Sequence, residues 1–165
     1  MLKNKGGVRL KIRVFTDGAC SENPGPGGWA VAFNTEKKCY TVSGNELHTT
    51  NNRMELKAVI EAFRKILKKA TKFDEFEIFS DSAYVVNAIN NNWIEVWERN
   101  NWKTTKCEDV KNRDLWEEFC KIRKQISQIG VSIKVIKIKG HSGNAFNEFV
   151  DKIAKEESIK AKEKR

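Results

Sequence analysis

The chain has 165 residues, a net charge of +9 and a hydrophobic share of 39%, which fits one domain with a sizeable core. No apolar run approaches the roughly 20 residues of a membrane span. The N-terminus MLKNKGGVRLK is charged and lacks the apolar segment of a secretory leader, so a soluble, cytoplasmic protein is expected.

The four cysteines, Cys20, Cys39, Cys107 and Cys120, are not paired at metal-ligand spacing. Reduced thiols are expected, without zinc. The basic charge is unevenly placed. Residues 1–13 carry Lys3, Lys5, Arg9, Lys11 and Arg13 without an acid, and residues 64–72 carry Arg64, Lys65, Lys68, Lys69 and Lys72 without one. Such clusters are either solvated faces or surfaces that track phosphates.

In chain order, RLKIRVFTD alternates, with Leu10, Ile12 and Val14 on one face and Arg9, Lys11 and Arg13 on the other. That predicts a strand with one buried face. ENPGPGG, residues 22–28, predicts a turn, and WAVAF and CYTVSG two further short strands in a meander. In TTNNRMELKAVIEAFRKILKK, Leu56, Val59, Ile60, Phe63 and Leu67 recur at helical spacing. FEIFSD is a short, nearly continuous apolar run, as in a central strand covered on both faces. SAYVVNAI predicts a helix, residues 93–111 a polar segment with three tryptophans, and residues 112–128 another helix. VSIKVIKIK reads as the last strand, GHSGN as a loop, residues 145–160 as the final helix and KAKEKR as a frayed basic tail. Strands first, then strands alternating with helices, imply a mixed sheet with helices on its faces.

Four acids bear on function. Asp17 and Asp81 end apolar runs in TDGAC and FSDSA, Glu55 opens a helix pattern, and Asp151 lies in the last helix. Singly, each has a plain structural reading. Asp17-Gly18 is a turn signal, Glu55 stands three residues after Asn52 as in a capping box, Asp81 can cap the next helix, and Asp151 can be a surface acid. Together they are better explained by convergence. Ligands gather at the carboxyl ends of strands in such sheets, and converging carboxylates need a hard divalent cation to offset their repulsion. In the last helix, Phe146, Phe149, Val150 and Ile153 are the expected buried stripe, flanked by a polar stripe of Asn144, Asn147 and Asp151.

The segments VFTDGACSENPGPGGWA, TTNNRMEL, FSDSAYV and GHSGNAFNEFVDKIA closely resemble type 1 ribonuclease H of the bacterial kind, in order over roughly residues 10–157. The resemblance implies an α/β, ribonuclease H-like fold with a five-stranded mixed sheet in order 3-2-1-4-5, its second strand antiparallel. It implies one domain over residues 1–165, with a core at about 8–158. It implies hydrolysis of the RNA strand of RNA/DNA hybrids, leaving 5′-phosphate and 3′-hydroxyl ends. By that similarity Asp17, Glu55, Asp81 and Asp151 bind two Mg²⁺ ions, with Mn²⁺ as substitute, and His141 matches a mobile catalytic histidine. No membrane and no obligate protein partner is implied, and a monomer is expected.

For the substrate, the resemblance puts Asn23, Asn51 and Asn52, with the backbone near Cys20, along the RNA minor groove. An amide both donates and accepts, as a 2′-hydroxyl partner requires. Thr50 and Asn112 match positions that hold a DNA-strand phosphate, and Asn147 joins the substrate side through its stripe. Residues 93–111 resemble a basic protrusion, the handle of many bacterial members. There Trp93 either lines the DNA-strand channel or packs on Trp97. This handle departs from the pattern. Arg99, Lys103, Lys106 and Lys111 are balanced by Glu95, Glu98, Glu108 and Asp109. A second departure is Ala83, where a family relative carries Gln, so one minor-groove contact is expected to be missing.

Overall fold

A computed structural model describes residues 11–70, 74–140 and 143–164. Strands β1 (Lys11–Cys20), β2 (Gly25–Asn34), β3 (Cys39–Thr49), β4 (Glu75–Ser80) and β5 (Ser132–Lys137) form one sheet in the order β3-β2-β1-β4-β5. The β1–β2 and β2–β3 pairs are antiparallel, and β1–β4 and β4–β5 are parallel. The sheet is therefore mixed and in the expected order.

Helix α1 (Asn51–Lys69) covers one face with α4 (Arg113–Gln128), and α5 (Ala145–Glu163) covers the other; α2 (Ala83–Asn90) and α3 (Trp93–Arg99) connect β4 to α4. Each face has its own core. Ile12, Val14, Val31, Phe33 and Ile78 pack with Leu56, Ile60, Trp116 and Phe119, whereas Phe15, Ala30 and Ala32 pack with Val150 and Ala154. Along β2 the large side chains point to α1 and the alanines to α5. The α5 side is accordingly thin, and a Cβ on Gly28 would run into the carbonyl of Ala154.

That close approach adjusts the expected face of the last helix: Val150 is buried and Phe146 and Ile153 pack against the same core as expected, whereas Phe149 does not. The helix's buried stripe is Asn147, Val150, Ala154, Ser158 and Ala161, while Phe149 is 43% exposed. Small residues fit against the alanines and glycine of β2; a phenylalanine there would hold the helix away. The C-terminus is not frayed where predicted, because α5 runs to Glu163 and Ala161 is fully buried. Glu157 fixes that end by accepting from Ser43 Oγ (3.0 Å) and Asn45 Nδ2 (2.6 Å).

Two other expectations shift. β1 has one exposed row only at Lys11 and Arg13; beyond them Phe15 stacks between Phe79 and Phe146, at 5.0 Å from each, so both faces are covered. The turn predicted at 22–28 is shorter, since Gly25–Gly28 already pair in β2, with a register shift between Gly25 and Gly27. In the tryptophan segment Trp97 packs on Trp93, Trp102 and Trp116, tying the protrusion to α4.

Candidate metal centre and nucleic-acid interface

Asp17 lies inside β1, paired with Ala30 of β2, and not in a turn. The parallel ladder with β4 ends at Phe15–Phe79, so Asp17 stands two residues beyond it. Asp81 follows directly on β4 at the same edge. Glu55 sits one turn into α1, whose cap is Thr50: Thr50 Oγ1 accepts from the Arg53 N–H at 3.2 Å. Asn52 is inside the helix, so Glu55 is not half of a capping box with it. Asp81 is not a cap either, because Ser82 caps α2 by accepting from Val85 N–H. With these local roles filled by other residues, the acids are left for the site.

Carboxylate oxygens of Asp17, Glu55 and Asp81 all lie within 4.8 Å of one another. Asp151 lines the same open cavity of about 520 Å³, together with Cys20, Asn51, Lys155 and Ser158. It stands outside the tight group, and its Oδ2 accepts from Lys155 Nζ at 2.8 Å.

The cluster is electrostatically unfavourable as it stands. Burial first, then the charge of Asp81, pushes Asp17 up to about 8, although the Gly18 N–H donates to Asp17 Oδ1 at 2.8 Å and opposes the shift. Burial likewise raises Glu55 to about 7, against donation from Ser82 and from Asn51 Nδ2 (3.1 Å). An all-oxygen, carboxylate-rich donor set in which burial and mutual repulsion disfavour the charged forms of Asp17 and Glu55 fits a hard divalent cation. Asp17, Glu55, Asp81 and Asp151 would hold it.

The predicted substrate residues separate into groups. Asn51 N–H donates to Asn23 Oδ1 at 3.2 Å, joining the β1–β2 turn to the start of α1, with exposed Asn52 beside them. Cys20 turns its thiol inward, donating to Glu22 O, so its backbone is the part left to a ligand. Thr50 and Asn112 meet through Arg53. Trp93 keeps 39% of its surface despite its contact with Trp97. Asn147 does not join them. It is 3% exposed, on the sheet side of α5, and its Oδ1 has no hydrogen-bond partner among the described residues. His141 lies outside the described residues. Gly140, just before it, lies against the site, since a Cβ there would come 3.0 Å from Asp81 Oδ2.

Arg53, Tyr84, Ser82 and Lys155 are site neighbours that the sequence reading did not single out. Only Lys155 carried a signal, the i, i+4 spacing from Asp151. The partners of Arg53 are about 60 residues away in sequence.

Acidic side chains gathered at the carboxyl edge of a 3-2-1-4-5 mixed sheet define a protein with a candidate divalent-metal site, and the comparisons give its class as a hydrolase of the nuclease type. The family model described as RNase H matches residues 9–159. The ribonuclease H of Caldicellulosiruptor saccharolyticus is 47% identical over 145 residues, 88% of this chain and 94% of that protein. Among solved structures, LC9-RNase H1, a type 1 RNase H with the type 2 active-site motif, superposes with a TM-score of 0.77 at 28% identity, over 93% of this chain and 74% of that one. LC11-RNase H1, solved in complex with RNA/DNA hybrid, shares the fold with a TM-score of 0.60 at 24% identity, over 91% of this chain and 98% of that one. The chain belongs to the ribonuclease H family.

Proposed function

We propose that this protein hydrolyses the RNA strand of RNA/DNA hybrids, with two Mg²⁺ ions as cofactor and Mn²⁺ as substitute, leaving 5′-phosphate and 3′-hydroxyl ends. The carrying observation is the group of three carboxylates within 4.8 Å, with Asp151 on the same cavity. Family membership and the hybrid complex of LC11-RNase H1 support the substrate class. Bound divalent ions supply activation of a water and charge stabilisation on the departing 3′ oxygen.

The chain's own residues do the rest. Asp17, Glu55, Asp81 and Asp151 are the ligands, and Ser82 and Asn51 orient Glu55 by donating to it. By its place in the GHSGN segment, His141 transfers a proton or assists product release. Asn23, Asn51, Asn52 and the backbone at Cys20 read 2′-hydroxyls in the minor groove. Thr50 and Asn112 hold a DNA-strand phosphate, and the exposed face of Trp93 lines the DNA strand. Asn147, at 3% exposure, offers little surface to a substrate.

The test is digestion of four matched duplexes in Mg²⁺: RNA/DNA, RNA/RNA, DNA/DNA, and DNA with one embedded ribonucleotide. Cleavage of the first, absent in Asp17→Asn, is expected. Cleavage of DNA/DNA, or hybrid binding without any cutting by the wild type, overturns the proposal.

A further inference from the structure

Beside the carboxylates, Thr50 and Asn112 share one partner. The backbone N–H of Arg53 donates to Thr50 Oγ1 at 3.2 Å, and its Nη1 donates to Asn112 Oδ1 at 3.4 Å. The same guanidinium is fixed from behind by Asp114, whose two oxygens accept from Nη1 and Nη2 at 2.9 and 2.7 Å. Arg53 is thus charge-paired inside the protein, and it occupies an acceptor of both neighbours.

The other end of the Asn112 amide is also fixed. Its Nδ2 donates to the Tyr84 hydroxyl at 3.1 Å. That hydroxyl accepts from Trp116 Nε1 at 2.9 Å, and Trp116 is fully buried. An indole N–H can only donate, and so can a guanidinium. The donor-only guanidinium decides which way the amide lies: Oδ1 turns toward Arg53, and Nδ2 is left to the Tyr84 hydroxyl, which accepts from it as it does from the indole. Asn112 is at the N-cap of α4 with φ +61°, yet makes no side-chain cap bond, so the amide is not used by its own helix.

We infer that Arg53 and Tyr84 are positioning residues that turn the Thr50–Asn112 pair into a donor-only notch selective for a phosphate oxygen. The O–H of Thr50 and the second N–H of Asn112 remain for the ligand, while Asn112 Oδ1 and one lone pair of Thr50 Oγ1 are taken by Arg53. A flipped amide would present an oxygen to the phosphate and repel it. The inference rests on the reading of Thr50 and Asn112 as contacts to a DNA-strand phosphate.

The experiment measures hybrid affinity in an Asp17→Asn background, which prevents cutting. The hybrids carry one neutral methylphosphonate at each DNA-strand position in turn. The parent should lose about tenfold at one position, the scale of one hydrogen bond to a charged group. Tyr84→Phe and Arg53→Lys should bind the unmodified hybrid about tenfold more weakly and show no further loss at that position, while keeping the losses elsewhere. Tyr84→Phe strips the acceptor from a buried indole, so its melting is followed; if it does not fold, Arg53→Lys, which keeps the charge, carries the test.

A merely structural role predicts a uniform weakening in which the position-specific loss survives, and that result overturns the inference. Asn112→Ala separates the two ideas. If it also keeps the loss at every position, the phosphate contact itself is wrong and the inference falls with it. If it abolishes the loss and the other two variants do not, only the positioning role is wrong.

Discussion

Gly18 of β1 lies directly against the backbone of Glu55. A Cβ on Gly18 would overlap the Met54–Glu55 peptide, and that contact sets the distance between the Asp17 and Glu55 carboxylates. Gly18→Ala must therefore push α1 away from β1 at the point where the site is assembled. Overpacking of this kind costs about 1–3 kcal/mol. The expected result is a lower melting temperature together with loss of the stabilisation that Mg²⁺ gives the parent. A variant that melts early but keeps its full response to Mg²⁺ would show that the contact serves packing alone.

The raised acids fix a pH dependence. Asp17 at about 8 and Glu55 at about 7 both lie above the ordinary carboxylate range, chiefly through burial. The folded protein then holds protons that the unfolded chain releases, so metal-free stability falls as pH rises from the ordinary range through these values. A divalent cation requires the deprotonated forms, so its stabilising effect runs the other way and is larger at pH 8.5 than at pH 6. Asp17→Asn should melt higher than wild type in EDTA at pH 8.5, since a tenfold change in proton affinity is ~1.4 kcal/mol. It should also respond little to Mg²⁺. Thermal melts at both pH values, with and without Mg²⁺, check the crossing. A wild type whose metal-free stability climbs from pH 6 to 8.5 would contradict the burial argument.

The same site shows where sequence reasoning reaches and where it stops. Asp81 was legible because FEIFSD is a short apolar run ending in an acid, and the end of a parallel strand is where ligands gather. The face of α5 was legible at Phe146, Val150 and Ile153 but not at Phe149. Phe149 lost its expected place because β2 offers Ala30, Ala32 and Gly28 on that side, and only small residues let the helix approach. Arg53–Asp114 joins residues far apart in sequence, where no local periodicity operates. Resemblance supplied the identity of the site; the three-dimensional contacts decide which of its residues are free to bind.

The handle carries no net charge, and its local pairing reinforces the consequence. Lys103 Nζ is 2.7 Å from Asp109, and Glu95 accepts from Arg123 at 3.1 Å. Among the basic residues of 64–72, Arg64 is paired with Glu61 and Glu118. Lys68 lies thirteen residues along α1 from Glu55, ~20 Å at the helical rise. Replacing Arg99 and Lys103 with Gln should therefore change the slope of log affinity against log salt by less than the ~0.9 expected for one phosphate contact. Hybrid-binding titrations from low to moderate salt check this. A change near two would assign both side chains to the backbone of the substrate.

Lys155 competes for the fourth carboxylate. Its ammonium donates to Asp151 Oδ2 at 2.8 Å, and Asp151 stands outside the tight group of three acids. Hydrogen bonding to Asp151 raises the Lys155 pKa further, so it stays charged at any pH where the carboxylates titrate. A divalent cation that takes Asp151 as a ligand must displace the ammonium from Oδ2 or share the carboxylate with it, and in either case binds beside that positive charge. Both effects weaken binding. The pair is solvent-exposed on the lysine side, so its strength is at most ~1 kcal/mol, a factor of about five in an equilibrium constant. Lys155→Met should lower the half-saturating Mg²⁺ concentration two- to fivefold by about that margin. Calorimetric titration of the metal, independent of turnover, should move by the same factor. Unchanged metal affinity in Lys155→Met would mean that Asp151 is not a ligand for the tightly bound ion, leaving Asp17, Glu55 and Asp81 to hold it alone.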